Sequence, residues 1–208
     1  MPDGWGVTNL ACRRGEAVVL EGVTFRVEPG KALILAGPNG SGKTTLLRTL
    51  AGLCPPVAGS IDAPSDAFAY AAHADAVKGQ LTVAESLRFW AAAHRTDAID
   101  RAVAAFDLAP LLRRRGADLS AGQRRRAGLA RMVLTGRPVW LMDEPTASLD
   151  TARAAALSAV ISRHLSAGGS AAIASHLPLG LPNEIRLDVA AFAATETVGA
   201  DPFAEAVE

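Results

Sequence analysis

The sequence predicts an α/β fold: a core of parallel strands and helices, an antiparallel β edge near the N-terminus and a helical subdomain inserted in the middle. Continuous apolar runs at 32–36, 139–142 and 171–174 are typical of strands covered on both faces. A glycine-rich loop and a helical stretch at about 43–50 follow the first run, and another helical stretch at 152–165 separates the last two. This alternation of strands and helices is the order of a parallel sheet.

The antiparallel edge is predicted from the first thirty residues. Residues 23–27 alternate apolar and polar side chains, the period of a half-buried strand. The run 18–20 just before it is apolar, and we expect the two runs to pair across a turn at Glu21 and Gly22.

The middle of the chain predicts the inserted helical subdomain, over about residues 81–136. Thr82 is followed three residues later by Glu85, the spacing of a capping box at the start of a helix. We expect residues 1–192 to form a single domain. Residues 193–208 show little periodicity and are expected to be a frayed tail.

Composition excludes several classes of protein. The 208 residues carry 21 basic and 21 acidic side chains, and this balance argues against nucleic acid as a partner. Cys12 and Cys54 lack the spacing of a zinc site or a disulfide framework. The N-terminus has no secretion signal, and no apolar run approaches the roughly 18 residues that a membrane-spanning helix needs. We expect a cytoplasmic protein that reaches a membrane only through a partner.

A phosphate-binding loop lies between the first core strand and its helix. The motif G-x-x-x-x-G-K-[ST] is matched, with phosphate contacts expected from Gly37, Pro38, Asn39, Gly40, Ser41, Gly42, Lys43, Thr44 and Thr45. The glycines let backbone N–H groups turn toward phosphate oxygens, and the helix adds its positive dipole end. Lys43 is expected to reach the β- and γ-phosphates, and the Thr44 hydroxyl to coordinate Mg²⁺. The sequence therefore predicts a P-loop NTPase core that binds ATP and Mg²⁺.

Two carboxylates end the strand at 139–142. Because ligands of α/β sheets bind at the carboxyl ends of strands, Asp143 and Glu144 should face the phosphate loop. Asp143 is the second expected Mg²⁺ ligand. Glu144 is the expected general base that polarises the attacking water.

The segment Leu119-Ser120-Ala121-Gly122-Gln123 precedes an arginine-rich helix. Here the sequence resembles the ATP-binding-cassette (ABC) ATPases, whose signature is usually LSGGQ. Ser120 and Gly122 lie at a helix start, which suits an anion. In the resembling family the signature binds the γ-phosphate held by the opposite subunit. The resemblance therefore implies a homodimer in which Ser120, Gly122 and Gln123 contact the partner's ATP.

Two further segments match this family, and the resemblance covers about residues 7–192. Ser148-Leu149-Asp150 resembles the D-loop that crosses the dimer interface, which implies that Asp150 lies at the nucleotide. His176, directly after the strand at 171–174, matches the switch histidine that contacts the γ-phosphate. The catalytic residues that the resemblance and the motifs imply are Lys43, Glu144 and His176.

The chain departs from the family pattern at two positions. An aromatic residue that stacks on adenine is usual near position 14, where this chain has Arg14. Stacking through the guanidinium plane and a plain surface position both stay open for this residue. His73 stands where the family has a glutamine that senses Mg²⁺, and its imidazole could ligate the metal or hydrogen-bond there in a pH-dependent manner.

Secondary motifs narrow the resemblance. Leu-x-Cys-x-Arg at 10–14, Tyr-x-x-His at 70–73, the LSAGQ-x-R-R signature and His-x-Pro-Leu at 176–179 are similar to the ATPases of haem-export and cytochrome c maturation systems. That resemblance implies integral membrane permease subunits, a haem chaperone handled through the complex, and a peripheral position on the cytoplasmic face of the bacterial inner membrane.

Two alternative functions remain at this point. The chain could serve another ABC importer or exporter, which would change the substrate and keep the chemistry. It could also be a soluble cassette acting on ribosomes or DNA, although those proteins usually carry tandem cassettes or a long coiled-coil insertion. For a transporter subunit, the segment 73–90 is the expected docking surface, with one of Phe89 and Trp90 in the core.

Overall fold

The computed structural model describes residues 4–64 and 66–195, which form eight strands and five α-helices. The strands are β1 (Trp5–Arg14), β2 (Ala17–Val27), β3 (Ala32–Ala36), β4 (Ala58–Asp62), β5 (Phe68–Ala71), β6 (Val139–Asp143), β7 (Ser170–Ala174) and β8 (Glu184–Asp188). The helices are α1 (Lys43–Leu50), α2 (Val83–Ala93), α3 (Ile99–Ala105), α4 (Ala121–Leu134) and α5 (Thr151–Ser166). Short 3₁₀ turns lie at Ala109–Leu111, Gly116–Asp118 and Val189–Phe192.

Five strands form the predicted parallel sheet, in the order β5-β6-β7-β3-β8. Successive residues of the central strands enter two separate cores, as the two-residue period of a strand requires. Met142 and Ile173 pack in the core that contains α4 and α5. Leu141 and Ala172 pack in the core that contains α1 and the antiparallel sheet. The predicted α/β class is confirmed.

The antiparallel sheet has the order β2-β1-β4 and corrects the prediction for its strands. Residues 18–20 do not pair with residues 23–27, because both belong to the single strand β2, which pairs along its length with β1. Glu21 and Gly22 lie inside β2, where Gly22 has φ +70° and the ladder changes register. Residues 5–14 lack a clear strand pattern in the sequence, so the partner of β2 is visible only in the structure.

The helical insert, which runs from α2 to α4 (residues 83–134), lies between β5 and β6. Its first helix begins at the predicted capping box: the Glu85 N–H donates to Thr82 Oγ1 at 3.2 Å, and the Thr82 N–H donates to Glu85 Oε2 at 2.8 Å. The two reciprocal bonds satisfy amides that the first turn of a helix otherwise leaves unpaired.

Of the two neighbours Phe89 and Trp90, one is exposed and one packs against the core, as expected. The Phe89 side chain is 54% exposed, whereas Trp90 is partly buried against the core of the insert. No helix within residues 4–64 and 66–195 is long and apolar enough to cross a membrane. The frayed tail was predicted over 193–208, and residues 196–208 of it lie outside the described residues.

Candidate functional site

A cavity of about 610 Å³ lies at the carboxyl edge of the parallel sheet. Neighbouring parallel strands end at the same edge, so the loops after β3, β5, β6 and β7 converge there. Predicted site residues that line it are Asn39, Gly40, Gly42, Lys43, Thr44, Thr45, His73, Asp143, Glu144 and His176. Five further lining residues are Arg13, Arg14, Gly15, Arg48 and Cys54. We call this space the phosphate-loop cavity.

The loop before α1 has the geometry of an anion cradle. Gly37, Gly40 and Gly42 all have positive φ, at +134°, +83° and +98°, a region that side chains disfavour. The Lys43 ammonium donates to the carbonyl oxygens of Gly37 at 2.7 Å and Pro38 at 2.8 Å, which holds the cation within the loop.

The first turn of α1 fits a polyphosphate ligand. Gly42 supplies no side-chain cap to it, whereas α2, α4 and α5 begin at capping side chains. The Ser41 hydroxyl is buried and has no hydrogen-bond partner among residues 4–64 and 66–195. Uncapped amides at the positive end of a helix, beside a loop of inward-turning amides, bind phosphate groups.

Thr44 and Asp143 form the oxygen pair that the sequence predicted. The Thr44 hydroxyl donates to Asp143 Oδ2 at 2.9 Å, and Asp143 is only 3% exposed. A hydroxyl beside a carboxylate is a hard oxygen set that suits Mg²⁺, which takes one or two protein ligands and completes its shell with phosphate and water. Within the described residues, no three His, Cys, Asp or Glu side chains group closely enough to form a metal site by themselves.

The buried charge of Asp143 affects its neighbour Tyr70 on β5. Burial, and after it the negative charge of Asp143, raises the pKa of Tyr70 to about 12. The phenol therefore keeps its proton at physiological pH, so a neutral hydroxyl faces the Asp143 carboxylate.

Glu144 and His176 meet across the same cavity. His176 Nε2 lies 3.3 Å from Glu144 Oε1, and the Glu144 side chain is 23% exposed. The Glu144 N–H donates to the Ala174 carbonyl at 2.9 Å, which ties it to the end of β7. Its φ is +47°, a left-handed conformation that costs an L-residue roughly 1–2 kcal/mol. The carboxylate is therefore held beside the cavity by backbone geometry.

The signature residues do not line this cavity. The Ser120 hydroxyl caps α4 by accepting from the Gln123 N–H at 3.3 Å, and Gln123 Oε1 accepts from the Ser120 N–H at 3.0 Å. The backbone N–H groups of Ser120 and Gln123 are thus both bound within the chain and are not free for an anion. The S-x-x-Q spacing of Ser120 and Gln123 is a capping-box pattern, so the capping of α4 could be predicted from the sequence.

The start of α4 packs against the segment predicted as the D-loop. A Cβ built on Gly122 would lie 2.8 Å from the Ser148 carbonyl oxygen. Asp150 caps the next helix, because its carboxylate accepts from the Arg153 N–H at 2.8 Å. Ser120, Gly122, Gln123 and Asp150 are thus outside the chain's own phosphate-loop cavity.

The two departures from the family pattern both lie at the cavity. Arg14 ends β1 and lines the cavity with Arg13, so the N-terminal sheet brings two arginines to this site. His73 lies two residues beyond β5 and also lines it. Stacking by Arg14 and metal contact by His73 stay predictions.

Arg125, on α4, is a buried residue near the site to which no motif in the sequence assigns a role. It is 3% exposed and donates to backbone carbonyls at the end of β6 and just after β5. Its spacing from Leu129 and Met132, both buried on the same helix, indicated an inward position. The run of three arginines concealed this periodicity, because a charge run on a helix usually faces solvent.

An anion cradle, a Thr44–Asp143 pair and an adjacent carboxylate at the edge of a parallel sheet define an ATP-hydrolysing site. The sequence model of the ABC transporter family matches residues 20–147, so the chain belongs to that family and is an ATPase. Its fold is that of a solved ATP-binding ABC transporter protein from Pyrococcus furiosus, with a TM-score of 0.80, 22% identity and coverage of 91% of this chain and 99% of that one. A solved ATP-binding subunit of an ABC transporter gives a TM-score of 0.79 at 25% identity, covering 90% and 87% of the two chains.

Within that family the chain is similar to CcmA proteins. It is 56% identical to the cytochrome c biogenesis ATP-binding export protein CcmA of Cereibacter sphaeroides, over 94% of this chain and 93% of that protein. The CcmA of Rhodobacter capsulatus is 54% identical, over 90% of this chain and 88% of its own length. The resemblance to ATPases of cytochrome c maturation is therefore confirmed.

Proposed function

We propose that this chain is the ATP-hydrolysing subunit of a membrane ABC complex that serves cytochrome c biogenesis, in haem export or in the release of a haem chaperone. The observation that carries the proposal is the 56% identity to a CcmA protein over nearly the whole of both chains. The contacts within the phosphate-loop cavity support the ATPase part of it.

The predicted site residues of the cavity have distinct parts in the proposed reaction. Backbone N–H groups of the loop at 37–45, to which Pro38 contributes none, and the Lys43 ammonium bind the ATP phosphates. Thr44 and Asp143 would hold Mg²⁺, with His73 as a neighbouring ligand or hydrogen-bonding group. When bound, Mg²⁺ neutralises charge on the phosphate oxygens.

Glu144 is the proposed general base. It accepts a proton from water as the water oxygen attacks the γ-phosphorus and the bond from that phosphorus to the ADP oxygen breaks. His176, 3.3 Å from the Glu144 carboxylate, is the proposed contact to the γ-phosphate. Hydrolysis then yields ADP and inorganic phosphate.

A homodimer would complete the site. Ser120, Gly122, Gln123 and Asp150 lie outside the chain's own cavity, and the packing of Gly122 on Ser148 joins the signature to the D-loop. We propose that these four residues contact the ATP of the partner subunit. ATP would then join the two chains, and hydrolysis would separate them.

The membrane partner would dock on segment 73–90. Phe89 is 54% exposed there, and the Lys78 ammonium lies 5.8 Å from the centre of its ring. An exposed aromatic ring on the insert suits contact with an integral membrane permease. We propose a peripheral position on the cytoplasmic face of the inner membrane, with no nucleic-acid partner because the net charge is zero.

The test is isolation of a tagged Glu144→Gln chain from native membranes in mild detergent with ATP. The amide cannot accept the proton, so ATP turnover should fall by at least about 100-fold while ATP still binds. We expect the trapped complex to contain small integral membrane proteins and a protein with a haem absorption band.

The control is Lys43→Ala, which removes the phosphate-binding cation and should recover no ATP-dependent complex. A permease without any haem protein would keep the ATPase and refute the cytochrome c assignment. Recovery of ribosomes or nucleic acid without membrane proteins would refute the transporter assignment. Unchanged turnover in Glu144→Gln would refute the assignment of the base.

A further inference from the structure

Arg125 is a buried cation whose N–H groups are all directed to acceptors. Nε donates to the Pro145 carbonyl at 3.3 Å, and Nη2 donates to the carbonyls of Asp143 at 2.9 Å and Glu144 at 2.7 Å.

The other terminal nitrogen of Arg125, Nη1, donates to the carbonyls of Ala72 at 2.9 Å and His73 at 3.0 Å. It also pairs with Asp75 Oδ1 at 3.0 Å, so the charge is compensated. A buried guanidinium is stable only with such complete pairing.

These acceptors belong to two segments that are far apart in the sequence. The first segment follows β5 and supplies acceptors at Ala72, His73 and Asp75. The second segment, residues 143–145, begins at the last residue of β6. Arg125 itself belongs to α4, the helix that begins at the signature. One planar side chain therefore joins the signature helix, the segment of His73 and the backbone of the proposed base.

The contact to Glu144 falls at a strained position. Glu144 has φ +47°, and unfavourable backbone conformations persist only where surrounding contacts hold them. Its N–H is bound to Ala174, and its carbonyl accepts from both Arg125 and the Ala147 N–H at 3.1 Å. Arg125 is the side chain in this arrangement that reaches Glu144 from the helical insert.

We infer that Arg125 is a positioning residue for ATP hydrolysis: it fixes the backbone of Glu144 and thereby links the signature helix and the His73 segment to the proposed base. Arg125 is not itself among the residues that line the cavity, and none of its hydrogen bonds goes to the phosphate loop. Its bonds to the lining residues His73, Asp143 and Glu144 go to their backbone carbonyls and not to their side chains. Loss of the guanidinium therefore lowers turnover and leaves ATP binding largely unchanged. This inference rests on the proposed role of Glu144.

The test compares Arg125→Gln with the unaltered full-length chain in steady-state ATP hydrolysis and equilibrium binding of a non-hydrolysable ATP analogue. We expect kcat to fall by about 10- to 100-fold, the usual effect of removing an orienting partner, with KM and analogue affinity changed less than about threefold. Amide hydrogen exchange should accelerate selectively across residues 143–149, because the carbonyl anchors of that turn are lost.

The matched control is Arg137→Gln. Arg137 also donates to a strand carbonyl, that of Phe68, but at the opposite end of β5 from the cavity. Its kcat should stay within about twofold of the unaltered chain, since the site is distant. Arg125→Lys is the second variant: its single ammonium cannot span the two segments, so it should resemble Arg125→Gln.

Three results would overturn the inference. They are an unchanged kcat in Arg125→Gln, a loss of analogue affinity as large as the loss of kcat, and full activity of Arg125→Lys. If Arg125→Gln does not fold, Arg125→Lys is judged by the same criteria. A double variant that carries Arg125→Gln and Glu144→Gln separates this inference from the proposed function. If Glu144 is the base, the double variant is no slower than Glu144→Gln alone. If Glu144→Gln is active, the role of Glu144 fails irrespective of Arg125.

Discussion

Single side chains outside the site show how burial sets their chemistry. The imidazole of His164 stacks on Trp140, with ring centres 3.9 Å apart and planes 7° apart. Its Nε2 lies 3.1 Å from the Pro138 carbonyl and 3.2 Å from the Ser170 carbonyl, so a neutral ring protonated at Nε2 satisfies both acceptors. Burial lowers the pKa of His164. Gly169 allows this packing, because a Cβ there would lie 2.4 Å from the imidazole ring.

This lowered pKa predicts a loss of stability on mild acidification. Below about pH 6.5 the unfolded chain binds a proton at His164 that the folded chain does not, so the free energy of unfolding falls as the pH falls toward the folded-state pKa. His164→Gln should reduce that fall between pH 7.5 and 5.5 by at most about 1 kcal/mol, since the ring is partly exposed.

Urea unfolding of both proteins at the two pH values measures the effect. The variant also loses the stack on Trp140 at every pH, so the comparison is between pH slopes and not between absolute stabilities. His94 keeps part of the dependence, because burial lowers its pKa as well. Equal slopes in the two proteins would show that His164 does not titrate in this way.

At the scale of elements, α4 packs closely against the turn after β6. Gly122 lies in the first turn of α4, and the Ser148 carbonyl occupies the space that a side chain there would need. Ser148 itself has φ +64°. The signature and the predicted D-loop therefore form one packed unit, and their relative position depends on the absence of a side chain at 122.

Gly122→Ala should push the signature at the start of α4 away from the predicted D-loop. The added Cβ would lie 2.8 Å from a backbone oxygen, so either α4 or residues 148–150 must shift. We expect a loss of about 1–3 kcal/mol in stability, as for other overpacked sites, together with reduced ATP turnover. Thermal unfolding and steady-state hydrolysis measure the two effects.

Gly128→Ala is the control on the same helix. The nearest atoms to a Cβ at 128 are 3.5 Å away, an ordinary contact, and alanine in a helix interior is more stable than glycine by about 0.5–1 kcal/mol. This variant should melt at or above the temperature of the unaltered chain. Equal behaviour of the two variants would mean that Gly122 has no special packing role.

At the scale of the whole molecule, the residues assigned to ATP lie in two separate places. The phosphate loop, Asp143, Glu144 and His176 converge on one cavity, whereas Ser120 lies outside it. If Ser120 acts on the ATP of a second chain, its replacement should affect association and not nucleotide binding by the isolated subunit.

Ser120→Arg, combined with Glu144→Gln, is expected to abolish the ATP-dependent dimer, because a long cation would occupy the interface. Affinity for ATP in the separate subunits should change by less than about twofold, since the substitution is outside their own cavity. Light scattering after size-exclusion chromatography measures the dimer, and titration with a fluorescent analogue measures affinity.

Ser166→Arg is the matched control, because Ser166 is exposed at the far end of α5, where a cation also suits the helix dipole. It should leave the dimer intact. A dimer that persists in Ser120→Arg would exclude the proposed arrangement.

Short motifs in the sequence determined the phosphate loop, the carboxylates at the end of β6 and the helix cap at Thr82. Each depends on residues within a few positions of one another, whose turn geometry and strand or helix period are local properties. The α/β class followed from the same local patterns, because their order along the chain already restricts the sheet that they can form.

Only the tertiary structure decided which strands pair and which side chains meet. β1 pairs with β2 along its whole length, which replaced the predicted hairpin by one strand. Arg125 reaches acceptors up to 53 positions away, and no local pattern records such distances. The helical period places Arg125 on the inward face of α4, but it does not show which groups the guanidinium contacts. Those contacts arise from packing, which brings Ala72, Asp143 and Glu144 around one guanidinium and makes its burial stable.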